Sequence, residues 1–143
     1  MNTVRLTRGV DYGARGAIYL ARQPNDAIVL VGDIARREGM PESYLAKIFQ
    51  ELSRQGIVRS HRGARGGFSL ARPAAEITLK EIVEAIEGPL ALCPCLSPVD
   101  QCPRKATCGL FPFLCEVQQQ ITTALDGTTL QSIADKEQSL LAG

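Results

Sequence analysis

The sequence predicts a mainly α chain with one small β-hairpin: a winged helix-turn-helix followed by a cysteine-rich segment and a long C-terminal helix. Three observations carry this. Apolar residues recur at helical spacing in one stretch after another. The period breaks at "IVRSH", "RGARGG" and "FSLA", which read as strand, turn and strand. A last stripe, Phe113, Val117, Ile121 and Leu125 at i+4 spacing, has little left in its own chain to pack against.

The elements follow in order. Thr7 is placed to N-cap a first helix reaching about Arg22, with Val10, Ala14, Ala17, Ile18 and Ala21 on its apolar face. "QPND" breaks it. Asp33 is expected to cap a short helix, Ile34–Glu38, which Gly39 ends. Pro41 suits the start of a third helix, whose Leu45, Ile48, Phe49 and Leu52 fall at i, i+3, i+4 and i+7; Gly56 stops it. Residues 33–55 are thus helix, short turn, helix, in which the second helix can enter a DNA major groove.

The strand pair that follows has Gly63, Gly66 and Gly67 for a tight turn, with Arg62 and Arg65 at the tip. Thr78 and Glu81 form a T-x-x-E capping box for a helix with Leu79, Ile82, Val83 and Ile86 inside, closed by Gly88. The long helix runs from about Leu110 to Leu125, and Thr128 with Gln131 is expected to cap a short last one. The domain boundaries expected are 1–88 for the winged unit, 89–109 for the cysteine loop, and 110–143 for the long helix and its short successor.

Charge sharpens the reading. The net charge is only +1, but residues 1–80 carry 13 Lys/Arg against 7 Asp/Glu, a net of +6, and residues 81–143 carry 3 against 8, a net of −5. The stretch from Arg54 through Arg72 holds five arginines, His61 and no acid. A basic hairpin directly after a helix-turn-helix is the winged-helix arrangement, and double-stranded DNA is the expected partner. Ser43, Tyr44 and Lys47, on the exposed face at the start of the second helix of the motif, are the candidates for base or phosphate contacts. Arg59, Arg62 and Arg65 are the candidates on the wing. The orphan C-terminal stripe is expected to pair with its twin in a homodimer, setting two recognition helices roughly 34 Å apart for a palindromic operator.

Other classes fare poorly. No stretch approaches a membrane span, and the opening "MNTVRLTRGVDYGARGAIYLA" scatters arginines instead of forming the apolar run of a secretory leader, so a reducing cytoplasm is expected. There is no P-loop, no Ser/His/Asp or Cys/His arrangement and no paired carboxylates in an acid–base context, so no enzymatic activity is expected.

The remaining motif is "CPCLSPVDQCPRKATC", which holds four of the five cysteines. With 45% apolar residues the chain has a core and needs no disulfide staples. Thiolates are soft ligands, suited to iron–sulfur clusters, zinc or Cu(I). The spacing Cys93-x-Cys95-x6-Cys102-x5-Cys108 lacks the two short knuckles usual in structural zinc sites. It favours a loop around a larger object, while zinc, a thiol redox switch and incidental cysteines stay open.

"RLTRGVDYGARGAIYLA", "SYLAKIFQELSRQGIVRSHRGARGGFSLAR", "ITLKEIVEAIEG" and the Cys-x6-Cys-x5-Cys run together resemble the IscR/NsrR-like family of winged-helix iron–sulfur transcriptional regulators, over nearly the whole chain. The resemblance implies a cluster, [4Fe–4S] with [2Fe–2S] as the alternative, held by Cys95, Cys102 and Cys108, with Cys93 as a substitute for Cys95. Some members add a histidine soon after the third cysteine; here Phe111 stands there and the one histidine, His61, belongs to the wing. Nitric-oxide-sensing members use a first-helix aspartate from the partner subunit, and Asp11 in "TRGVDYG" matches it. From the residues alone Asp11 is equally a surface carboxylate paired with Arg15. Cys115 reads as a small apolar residue of helix packing. The function implied is a DNA-binding repressor sensing redox state, nitric oxide or iron. The alternatives are a cluster-free regulator with a thiol switch or zinc site, or one controlled by a metabolic-enzyme partner.

Overall fold

The computed structural model describes residues 7–63, 66–92, 96 and 103–143. Its order is α1 (Arg8–Ala21), α2 (Val31–Glu38), α3 (Glu42–Arg54), β1 (Val58–His61), β2 (Gly67–Leu70), a 3-10 turn (Ala74–Glu76), α4 (Leu79–Glu87), α5 (Leu110–Asp126) and α6 (Leu130–Ala142). This is the winged helix-turn-helix architecture that the sequence predicts.

One apolar core joins α1, α2, α3, the hairpin, α4 and the start of α6. Phe49, Leu45 and Leu52 of α3 are fully buried, as are Ile34 of α2, Ile82 of α4 and Leu130 of α6. The i, i+3, i+4, i+7 stripe of α3 supplies the centre, and the Phe49 ring meets Phe68 of β2 edge-on at 5.1 Å. α1 comes close enough to α3 that a β-carbon at Gly16 would lie 2.7 Å from the Phe49 ring. Only glycine lets the two backbones approach so nearly.

The wing is an antiparallel pair in the register Val58↔Leu70, Arg59↔Ser69, Ser60↔Phe68 and His61↔Gly67. Val29, in the loop after α1, adds a one-residue third strand through reciprocal bonds with Phe68 of 2.9 and 2.8 Å. Gly67 sits at φ +150°, and a β-carbon there would lie 2.4 Å from the Val29 carbonyl oxygen. That contact, as much as the turn, requires glycine at this position.

Two helix starts differ from the sequence reading. α2 begins at Val31, three residues earlier than expected, because the Leu30 carbonyl already accepts from the Asp33 and Ile34 amides. Asp33 therefore lies in the first turn, paired with Arg36, and caps nothing. At the other end Thr129 with Ser132, not Thr128 with Gln131, forms the capping box of α6. Thr128 is used twice elsewhere: its hydroxyl donates to Ala124 and its carbonyl accepts from Leu79. That last bond belongs to a bridge joining Thr78 and Thr129, which sets the starts of α4 and α6 side by side. The last helix is not short: α6 spans 13 residues and buries Leu130 and Ala134 against the winged unit.

Candidate nucleic-acid interface and cysteine segment

α3 presents a polar face opposite its core stripe. Ser43, Lys47, Gln50 and Arg54, at i, i+4, i+7 and i+11, are all exposed. Ser43 and Lys47 were expected there. Gln50 was not, although its seven-residue offset from Ser43 places it on the same face, and a Gln amide suits the adenine edge of a major groove. Tyr44 is placed differently from its two neighbours. It is 41% exposed, meets Tyr12 of α1 edge-on at 5.5 Å, and its hydroxyl lies beside Gly9. Tyr44 thus pins the start of α3 to the first turns of α1 while keeping one edge open.

The wing residues separate as well. Arg62 is exposed at the tip, immediately after β1; Arg65 lies outside the described residues. Arg59 faces a cleft at the wing's base beside Gln131 of α6. Among the described residues neither Arg59 nor Arg62 has a carboxylate within 4 Å, whereas Arg54 pairs with Glu51 and Arg72 with Glu81. His61 shares a 2.8 Å hydrogen bond with the buried Ser69 hydroxyl across the strands, so its ring stiffens the wing.

Of the cysteine segment, Cys93, Cys95 and Cys102 lie outside the described residues. Cys108 stands just before α5, half-buried and in no disulfide, with its carbonyl accepting from the Phe111 amide. The Leu92 amide donates to Gln118 of α5 at 3.0 Å, tying the entry of the segment to the helix that leaves it. Cys115, one level up α5, lines the groove between α4 and α5 with Lys80 and Glu84. Asp11 lies on α1, 3.3 Å from Arg15 with both side chains half-exposed. An exposed pair of that kind is worth a few tenths of a kcal/mol and opens readily. The donor chemistry at the described end of the segment suits a soft metal or cluster: Cys108 is a thiol in no disulfide, and the sequence adds two more cysteines at x6 and x5 spacing.

The start of α1 is a junction. Thr7 bonds the Glu87 carboxylate at the end of α4, and a β-carbon at Gly9 would touch both Ile86 of α4 and the Tyr44 hydroxyl. The end of α4, the Asp11-bearing turn of α1 and the first turn of the recognition helix therefore meet at one place.

α5 buries none of its residues. Leu110 and Phe113 are 64% and 59% exposed, and Val117, Ile121 and Leu125 are only half-buried. No described helix is long and apolar enough to cross a membrane.

The sequence pattern of the Rrf2 family, iron-dependent transcriptional regulators, fits residues 6–136. The chain belongs to the Rrf2 family. Solved structures agree. The Bacillus subtilis global cysteine regulator CymR is 25% identical, with a TM-score of 0.72 over 94% of this chain and 98% of its own. The IscR of T. potens is 28% identical, with a TM-score of 0.73 over 94% and 88%. A transcriptional regulator from Listeria innocua is 27% identical, with a TM-score of 0.75 over 94% and 89%. This Rrf2 protein is a DNA-binding transcriptional regulator, not an enzyme.

Proposed function

We propose that this Rrf2 regulator is a cytoplasmic homodimer that holds a palindromic operator and represses transcription from it, its grip set by an iron–sulfur cluster, [4Fe–4S]. Cys95, Cys102 and Cys108 would hold the cluster, with Asp11 as fourth ligand across the dimer. When bound, such a cluster supplies iron that nitric oxide, oxygen or iron shortage can alter.

The observation that carries this reading is the position of Cys108. It is an unbridged thiol at the foot of a helix with no buried residue, and it closes a Cys-x6-Cys-x5-Cys run. The apolar face of α5 supports pairing with a second copy of the chain, since Leu110 and Phe113 would otherwise stay in water. Ser43, Lys47 and Gln50 would face the groove, and Arg62 and Arg65 the backbone beside it. The junction of α4, α1 and Tyr44 supports coupling: an anchor on the cysteine segment and on Asp11 fixes the two elements that seat the recognition helix.

A second reading has one specific observation behind it. A Staphylococcus aureus CymR solved in an oxidized form is 26% identical over 92% of this chain, with a TM-score of 0.70. In that reading the clustered thiols respond to oxidation directly, with no cluster. Anaerobic purification with iron and sulfide analysis separates the two. Iron and sulfide that stay with the dimer and are lost in Cys108→Ser support the cluster; colourless, iron-free protein whose operator binding responds to a thiol oxidant supports the switch.

A further inference from the structure

At the base of the wing lies a cleft of about 390 Å³, walled by the loop after α1, the stem of the hairpin, the 3-10 turn and the start of α6. Its polar lining is Gln23, Asn25, Asp26, Arg59, Arg72 and Gln131. None of its lining residues is a cysteine.

Arg72 is the residue to explain. One Nη donates to Glu81 at 2.6 Å, and Glu81 in turn completes the capping box of α4 by accepting from the Thr78 amide at 2.9 Å. The Nε–H of Arg72 is buried with no partner among the described residues. A buried guanidinium N–H left unpaired is costly, and with one Nη already given to Glu81 the exposed remainder of the Arg72 guanidinium is left to meet an anionic oxygen. Arg59, with no carboxylate within 4 Å among the described residues, lines the same cleft. Asp26 is the only acid of the lining, so a ligand's negative charge must be confined to one end. The three amides offer both donors and acceptors for its remainder.

We infer that the cleft is an effector site for a small metabolite bearing one carboxylate or phosphate, whose oxygens engage Arg72 and Arg59. The volume suits a molecule of amino-acid or small phosphoester size. Arg72 follows β2 by two residues and is tied to α4 through Glu81, so occupancy stiffens the joint between wing and α4.

Calorimetric titration of the full chain with inorganic phosphate and with L-glutamine tests this and separates the two sources of the anionic group. Saturable binding of either, one per chain, is expected. Arg72→Gln should weaken it about tenfold or more, the loss typical of a charge-assisted contact. Because Arg72→Gln also removes an ion pair, Ala75→Glu serves as a second variant: it sets a carboxylate on the cleft wall from an exposed position. It should abolish binding while leaving the melting temperature within about 2 °C, the usual limit for a surface change. No saturable binding of either probe, or binding that both variants retain, overturns the inference. No iron enters the experiment, so its outcome is independent of the cluster proposal.

Discussion

Replacing Leu130 with alanine tests whether α6 is part of the winged core. Leu130 opens α6, is fully buried, and joins the cluster that includes Ile18, Phe49 and Ile82. Its own amide is held by the Ile77 carbonyl at 2.9 Å, so the backbone cannot move in to fill the space left behind. Leucine-to-alanine changes at such sites cost about 2–5 kcal/mol. At the midpoint of that range, and at about 3 °C per kcal/mol for a chain of this size, the melting temperature should fall by roughly 10 °C. Leu140, ten residues on and 68% exposed, is the internal comparison, and its alanine variant should stay within about 0.5 kcal/mol of the parent. Differential scanning calorimetry of both at one fixed protein concentration is the assay, because the proposed dimer would make the midpoint concentration-dependent. Equal midpoints for the two variants would show that α6 is a loose appendage and that the core has been drawn too large.

Three further outcomes are expected. Phe113→Glu should convert the dimer to a monomer in sedimentation without unfolding it, since Phe113 is 59% exposed within one chain; an unchanged sedimentation coefficient counts against pairing through α5. Arg62→Ala and Arg65→Ala should each weaken binding to all DNA sequences alike and reduce the slope of log K against log salt by about one per chain. A loss confined to one operator sequence would instead mean base readout. Glu81→Ala removes the reciprocal half of the α4 capping box and the partner of Arg72, so denaturant unfolding should register a loss of about 1–2 kcal/mol; no loss would mean that the α4–wing joint is not a structural tie.

Most of the winged unit was legible because its signals are local. The stripe of α3, the Thr78–Glu81 box and the strand pair of the wing each rest on neighbours in sequence, and each forms where expected. What was not legible depends on distant residues. The bridge between Thr78 and Thr129 joins positions 51 apart, moves the cap of α6 by one residue, and docks α6 on the core. The Val29 contact that demands glycine at 67 is likewise invisible from "RGARGG" alone. At the site, the exposed face of α3 could be read from periodicity and should have included Gln50. Tyr44's turn onto Tyr12, and the cleft that Arg59 lines at the base of the wing, follow from helix and strand packing that no spacing encodes. The cysteine chemistry stands where the sequence left it except at Cys108, whose half-buried, unbridged state the fold supplies.

The coupling proposed between the cysteine segment and DNA rests on contacts rather than on distance. α4 ends on Glu87 at the first turn of α1, and that turn carries Gly9 under the Tyr44 hydroxyl. These are packed, glycine-spaced contacts, in which a shift of a fraction of an ångström has no slack to absorb it. In the proposed mechanism, a change in how the cysteine segment is anchored would be passed along these contacts to the start of α3.

The most direct measurement is operator affinity of anaerobically reconstituted protein, with iron and sulfide counted in the same sample, for the parent chain and for Cys108→Ser. The account predicts a cluster's complement of iron and sulfide in the parent, neither in the variant, and an affinity at least about tenfold different between them, a shift of about 1.4 kcal/mol. Parent protein that holds no iron after reconstitution yet binds its operator as tightly as the variant would contradict it.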